Sequence, residues 1–189
     1  FVSDPAQDLT YSISGLTMTD GFSTTNGGAI FNTESLFLSD CVLSECAANI
    51  GGAIANEGSL ELDSCTLSKN AAIVYGGAVD NFFGLLSLRD CTLAENHAEF
   101  GGGIENSSGS ELWVDSSTFF LNSAGASGGA IDSFDAITNI SNTTISGNQA
   151  GFGGGIFNER SAVSIWQSTI VENIALTSVG GILTSGTMP

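Results

Sequence analysis

Positive charge is nearly missing from this sequence: three Lys and Arg stand against twenty Asp and Glu, a formal net charge of −17 over 189 residues. Nucleic-acid binding needs clustered cations to neutralise phosphates, and attachment to an anionic membrane face needs the same. Both partners are excluded. No apolar run reaches the ~18 residues of a spanning helix, so this segment is not built to insert into a membrane. A single histidine and four cysteines, with neither a zinc spacing nor a CxxC pair, leave no thiol–imidazole metal motif.

What is present is a repeat. Gly-Gly pairs open the same phrase at Gly27, Gly51, Gly76, Gly101, Gly128, Gly153 and Gly180, at steps of 24, 25, 25, 27, 25 and 27 residues. A period in this range, without a helical segment inside it, marks a solenoid of short strands. Within each turn the phrase Gly-Gly-Ala-Ile-x-Asn sets a first polar column: Asn32, Asn56, Asn81, Asn106 and Asn158, with Ser133 and Ser185 in the remaining slots. An alternating apolar pair follows, as in Leu60/Leu62, and then a second inward pair, as in Cys65/Leu67. Period-two alternation over so few residues means a strand with one buried face. A second polar column then runs through Cys46, Asn70, Asn96, Asn122, Asn148 and Asn173, with an Ala two residues on in every turn.

These features predict an all-β fold: a right-handed, single-stranded parallel β-helix of about seven rungs of ~25 residues, with three short β segments per rung. Residues 1–189 form one repeat domain. The chain opens in mid-pattern at Phe1 and ends soon after a Gly-Gly phrase, which reads as a piece of a longer protein. Stacked Asn amides answer backbone groups left open at buried bends, and Gly pairs let neighbouring rungs approach closely. Ser107–Glu111 and Ala124–Ser127 read as loop insertions, and the open ends predict end-to-end self-association.

The Gly-Gly-Ala-(Ile/Val) motif occurs at Gly27–Ile30, Gly51–Ile54, Gly76–Val79 and Gly128–Ile131, with Gly in the Ala slot at Gly101–Ile104 and Gly153–Ile156. It alternates with a Phe-x-x-Asn motif that is strict at Phe119–Asn122 and takes Leu or Ile for Phe elsewhere. With both motifs, the chain resembles the repeats of polymorphic outer-membrane proteins, the autotransporter-type adhesins of chlamydiae, and is similar to related extracellular β-helix repeats of other bacteria. The resemblance implies a non-catalytic, structural or adhesive passenger segment, extracellular or at the bacterial cell surface. Its partner would be a host or cell-surface protein or glycan.

The rival is an enzyme acting on polysaccharide. A lyase needs a cation as base or charge neutraliser, and stacking assigns all three to structure. Lys69 falls between Glu45 and Glu95, Arg89 between Asp63 and Asp115, and Arg160 beside Asp135. A hydrolase therefore remains as the alternative. A third reading is ice binding, since an outward Thr recurs at Thr17, Thr66, Thr92, Thr118, Thr144 and Thr169, with Val42 as the exception; the neighbouring columns are irregular. His97 shares a permissive outward column with Ala47, Ala71, Ser123, Gln149 and Ile174 and carries no catalytic assignment. Cys41, Cys65 and Cys91 form an inward column and read as free buried thiols.

Ligand chemistry points to one column. The residue between Ile and Asn of the Gly-Gly phrase reads Phe31, Ala55, Asp80, Glu105, Asp132, Phe157. It is expected to face outward as a solvated acidic stripe, with carboxylates ~4.8 Å apart from rung to rung. Asp80, Glu105 and Asp132 are the candidate ligands of a weak calcium site, the one cofactor the sequence admits. The same three could serve as the acid/base set of a glycosidase.

Overall fold

The structure, a computed structural model, describes residues 10–186. One rung shows the logic of all. Ile54–Asn56, Ser59–Asp63, Thr66–Ser68 and Ala71–Tyr75 are four short strands separated by bends. Each strand pairs in parallel with its counterparts one turn before and one turn after. The result is four parallel sheets of seven, seven, seven and six strands, wound as a β-solenoid of about seven turns with no helix among the described residues. The rung therefore has four β segments, where three were expected. The fourth, around Ala48, Ala72, Ala98 and Ala124, turns a single Ala inward and so carries no alternation to read.

The repeat columns fall in register. Leu36, Leu60, Leu86 and Leu112 stack one above the other, as do Leu43, Leu67, Leu93 and Phe119. These side chains line the interior and are almost wholly buried. The inward residues of the outer turns, such as Ile13, Met18, Ile165 and Ile170, are only partly buried against that core. Two register expectations are corrected. Ser123–Ser127 is a strand rather than a loop, and Thr184, not Ser185, aligns with Asn158, because the last Gly-Gly phrase is one residue shorter.

Bends are made by single residues in the left-handed region. Asp40, Ser64, Asp90, Ser116, Asn142 and Gln167 hold φ between 50° and 55° at one corner, where short polar side chains are tolerated best. The Gly pairs answer two separate demands. The first, as at Gly51, has a φ of 62°, and a Cβ there would lie 2.2 Å from the Ile54 carbonyl oxygen. The second is set by the next rung: a Cβ on Gly52 would sit 2.0 Å from the carbonyl oxygen of Gly77, and one on Gly77 2.1 Å from that of Gly102. The pair thus closes the bend and permits the stack.

Two amide ladders run parallel to the axis inside. Asn70, Asn96, Asn122 and Asn148 each donate from Nδ2 to the Oδ1 of the next Asn at 2.9–3.0 Å, ending on Asn173. Each Oδ1 also accepts the backbone N–H of the residue one rung before, from Cys46 onward. The other ladder passes from Asn32 through Asn56 and Asn81 to Asn106 at 2.7–2.8 Å. There it meets Ser133, too short to continue it. Thr138, in the slot that Leu112 fills one rung earlier, supplies the missing oxygen: it accepts from Asn106 Nδ2 and shares a 3.0 Å bond with Ser133.

The charged residues are less orderly than stacking implies. Arg160 pairs with Asp135. Arg89 stands in register between Asp63 and Asp115, yet its ion pair is with Glu61, at 3.1 Å. Lys69 forms no ion pair among the described residues. All four cysteines are free and buried.

Candidate functional site

A groove of about 620 Å³ runs along the outside of the solenoid, over the sheet that carries the Gly-Gly phrase. Its floor is the column Ala55, Asp80, Glu105, Asp132 and Phe157, each in direct register with the next. One wall is built from the residues just before the Gly-Gly bends: Ile50, Tyr75, Phe100, Ser127 and Phe152. The other comes from the ends of the floor strands, where Phe82, Ser107, Phe134 and Glu159 are in register. Tyr75 and Phe100 pack against each other with ring centroids 5.5 Å apart. Arg160 lies over the Phe134 ring at 4.4 Å, behind the wall.

The acidic column is therefore not the solvated stripe expected from its alternation. Asp80, Glu105 and Asp132 do point away from the core, but they are only 6%, 5% and 3% exposed. The flanking aromatic rows rise on either side and remove the water. Burial in so apolar a slot penalises charge. Desolvation, aided by the nearby Glu57, pushes the Asp80 carboxyl up to about 7. Desolvation does the same to Asp132, also to about 7, although a hydrogen bond from Ser127 opposes it and Glu159 adds repulsion. Glu105, in the middle, is raised well above its ordinary value by burial and then by both neighbours, Asp132 ahead of Asp80. Its Oε2 is buried with no hydrogen-bond partner.

Among the described residues, no three carboxylate, thiol or imidazole groups converge closely enough to hold a metal ion. Asp80, Glu105 and Asp132, the calcium ligands expected from the sequence, stand one to a rung along the groove floor. His97 is exposed, in register with Ala71 and Ser123 and away from the groove lining. The Thr column is in register from Thr17 to Thr169, with Val42 interrupting it. The sequence names the three acids of the site and misses its walls. Their signal was available: an aromatic or Ile precedes the Gly-Gly pair at Ile50, Tyr75, Phe100 and Phe152, on four separate turns.

A model of the Chlamydia polymorphic membrane protein repeat matches residues 142–159, one copy of the phrase out of the seven. No curated protein and no solved structure matches the chain. The matched segment contains Ile145–Asn148 and Gly153–Ile156, so it covers Asn148 of the ladder that starts at Asn70 and one complete Gly-rich bend. The likeness is to the scaffold, and the floor acids lie outside it.

Proposed function

We propose that this β-solenoid is an adhesive, surface-displayed segment of the polymorphic-membrane-protein type, without catalytic activity, that contacts its partner through the acidic groove. The observation that carries this reading is the repeat itself. The phrase matched at residues 142–159 recurs along the whole chain, so the likeness to that outer-membrane repeat extends to the architecture. Such a scaffold projects one continuous surface, and the groove is a concave, apolar-walled feature on it. A display experiment tests the reading. Bacteria carrying the chain at their surface should attach to epithelial monolayers several-fold better than those carrying an empty passenger, and soluble chain should compete. Equal attachment by both strains would overturn the reading.

A polysaccharide hydrolase is the second reading, and one observation favours it. Carboxyls held up to about 7, as at Asp80 and Asp132, keep a substantial protonated fraction at neutrality, which a general acid needs. Release of reducing ends from a polysaccharide panel, abolished by Asp132→Asn, would establish it in place of the adhesive role.

A further inference from the structure

We infer that the groove is a binding site for alkylammonium groups carried on a slender methylene chain, either a free linear polyamine or the lysine side chains of a partner. This inference deepens the adhesive reading by naming the ligand of its groove, but it rests on the groove alone.

Three features converge. First, Glu105 Oε2 is buried and unpartnered at the middle of the floor. A buried acceptor without a donor is costly, and native proteins seldom retain one without use. A ligand N–H would satisfy it. Second, the acids stand on successive rungs, so floor carboxyls recur at ~4.8 Å intervals along the groove axis. Amine nitrogens separated by short methylene links recur at a comparable interval. Third, the walls are aromatic: Tyr75, Phe100, Phe82 and Phe134 face a slot whose floor is acidic. Rings attract cations over their faces and shield methylene groups from water, a pairing suited to alkylammonium and wasted on an inorganic ion.

Ser127 donates to Asp132, but nothing among the described residues partners Glu105 Oε2. Among the described residues the groups that face the slot are Asp80, Glu105 and Asp132 from below, with Glu57, Glu159 and Tyr75 from the flanks, and no Lys, Arg or His lines the groove. The net charge of −17 draws a cation in from a distance. An ammonium at the floor returns to the carboxylates the solvation that burial took away.

The test is calorimetric titration at constant ionic strength, with spermidine, a Lys-rich peptide and a neutral oligosaccharide as probes. Saturable binding of spermidine or the peptide is expected, and the tighter of the two identifies the source. Affinity should rise as pH increases from about 6 to about 8, because a cation needs the floor ionised. Glu105→Gln should bind about tenfold more weakly or worse, the loss of one desolvated charge pair, whereas Glu95→Gln on the exposed surface should bind as the native chain does. Glu105→Gln keeps the side-chain shape and removes a buried acid, so folding is retained; Asp132→Asn gives an independent check. Three results would overturn the inference: neither cation binds, both glutamate variants weaken binding equally, or only the oligosaccharide binds.

Discussion

Glu105 stands in register with Asp132 on the following rung, and both carboxyls are buried beneath aromatic walls although they point away from the core. A parallel stack makes this juxtaposition unavoidable: an acid in the same slot of adjacent turns meets its like at strand spacing. The groove therefore concentrates charge that the fold cannot itself neutralise.

The first consequence is a pH dependence of stability. Asp80 and Asp132 lose their protons near 7 when folded and near 4 when unfolded. A raised folded pKa gives a contribution that is complete below about pH 4 and is lost as pH rises through about 7. The surface carboxyls Asp115, held low by hydrogen bonds led by that of Ser141, and Asp135, held low by Arg160, act in the opposite sense and only below about pH 4. Urea unfolding should thus show stability falling by a few kcal/mol between about pH 4.5 and about pH 7.5. Glu105→Gln should be more stable than the native chain at the upper end. A flat profile would contradict the burial of the row.

The inner ladder predicts a sharp local penalty. Asn96 Oδ1 accepts from both Nδ2 and the backbone N–H of Asn70, and its own Nδ2 donates to Leu67 O and Asn122. Asn96→Ala leaves buried groups unpaired on two rungs and should cost about 1–3 kcal/mol per orphaned group in denaturant unfolding. His97→Ala, one residue away on the outer face, should change stability by no more than about 0.5 kcal/mol. Equal effects would discount the ladder.

Gly52 separates stacking from backbone strain. Its added Cβ would strike the Gly77 carbonyl oxygen at 2.0 Å, whereas nothing lies within 4 Å of a Cβ on Gly15, where only the φ of 63° resists a side chain. Gly52→Ala forces two rungs apart and should destabilise by about 3 kcal/mol or more, at the upper end for overpacking. Gly15→Ala should cost about 1 kcal/mol. Thermal unfolding of the two variants distinguishes them, and a mild Gly52→Ala would show that the stack can breathe.

Ser133 and Thr138 predict coupling. Thr138→Leu restores the apolar slot but removes the oxygen that Asn106 Nδ2 and the Ser133 hydroxyl share. Adding Ser133→Asn would rebuild the ladder. A double-mutant cycle should therefore give a favourable interaction of about 0.5–3 kcal/mol. Simple additivity would mean the two positions act independently.

The scaffold was legible because each slot repeats its chemistry: a reader who aligns Leu60 with Leu86, or Asn70 with Asn96, has the register of the coil. The fourth sheet was hidden because each of its strands turns a single Ala inward, as at Ala72 and Ala98, too few to show alternation. Ser133 was visible as a gap in a column, but its compensation by Thr138 required two sheets to be placed side by side. The site was half legible. Alternation assigned Asp80, Glu105 and Asp132 to the outer side correctly, then equated that side with water. Whether an outward residue is wet depends on its neighbours across the bend, and Tyr75 and Phe100 belong to a different sheet. Period-two reasoning along one strand contains no information about them.

The most direct test is the titration of the floor itself. Carboxyl carbon chemical shifts of Asp80, Glu105 and Asp132, followed by NMR from about pH 3 to about pH 9, report each group separately. Midpoints near 7 are expected for Asp80 and Asp132, with Glu105 also well above an ordinary glutamate. Midpoints near 4 for all three would mean a solvated stripe, and the groove would have no claim to a ligand.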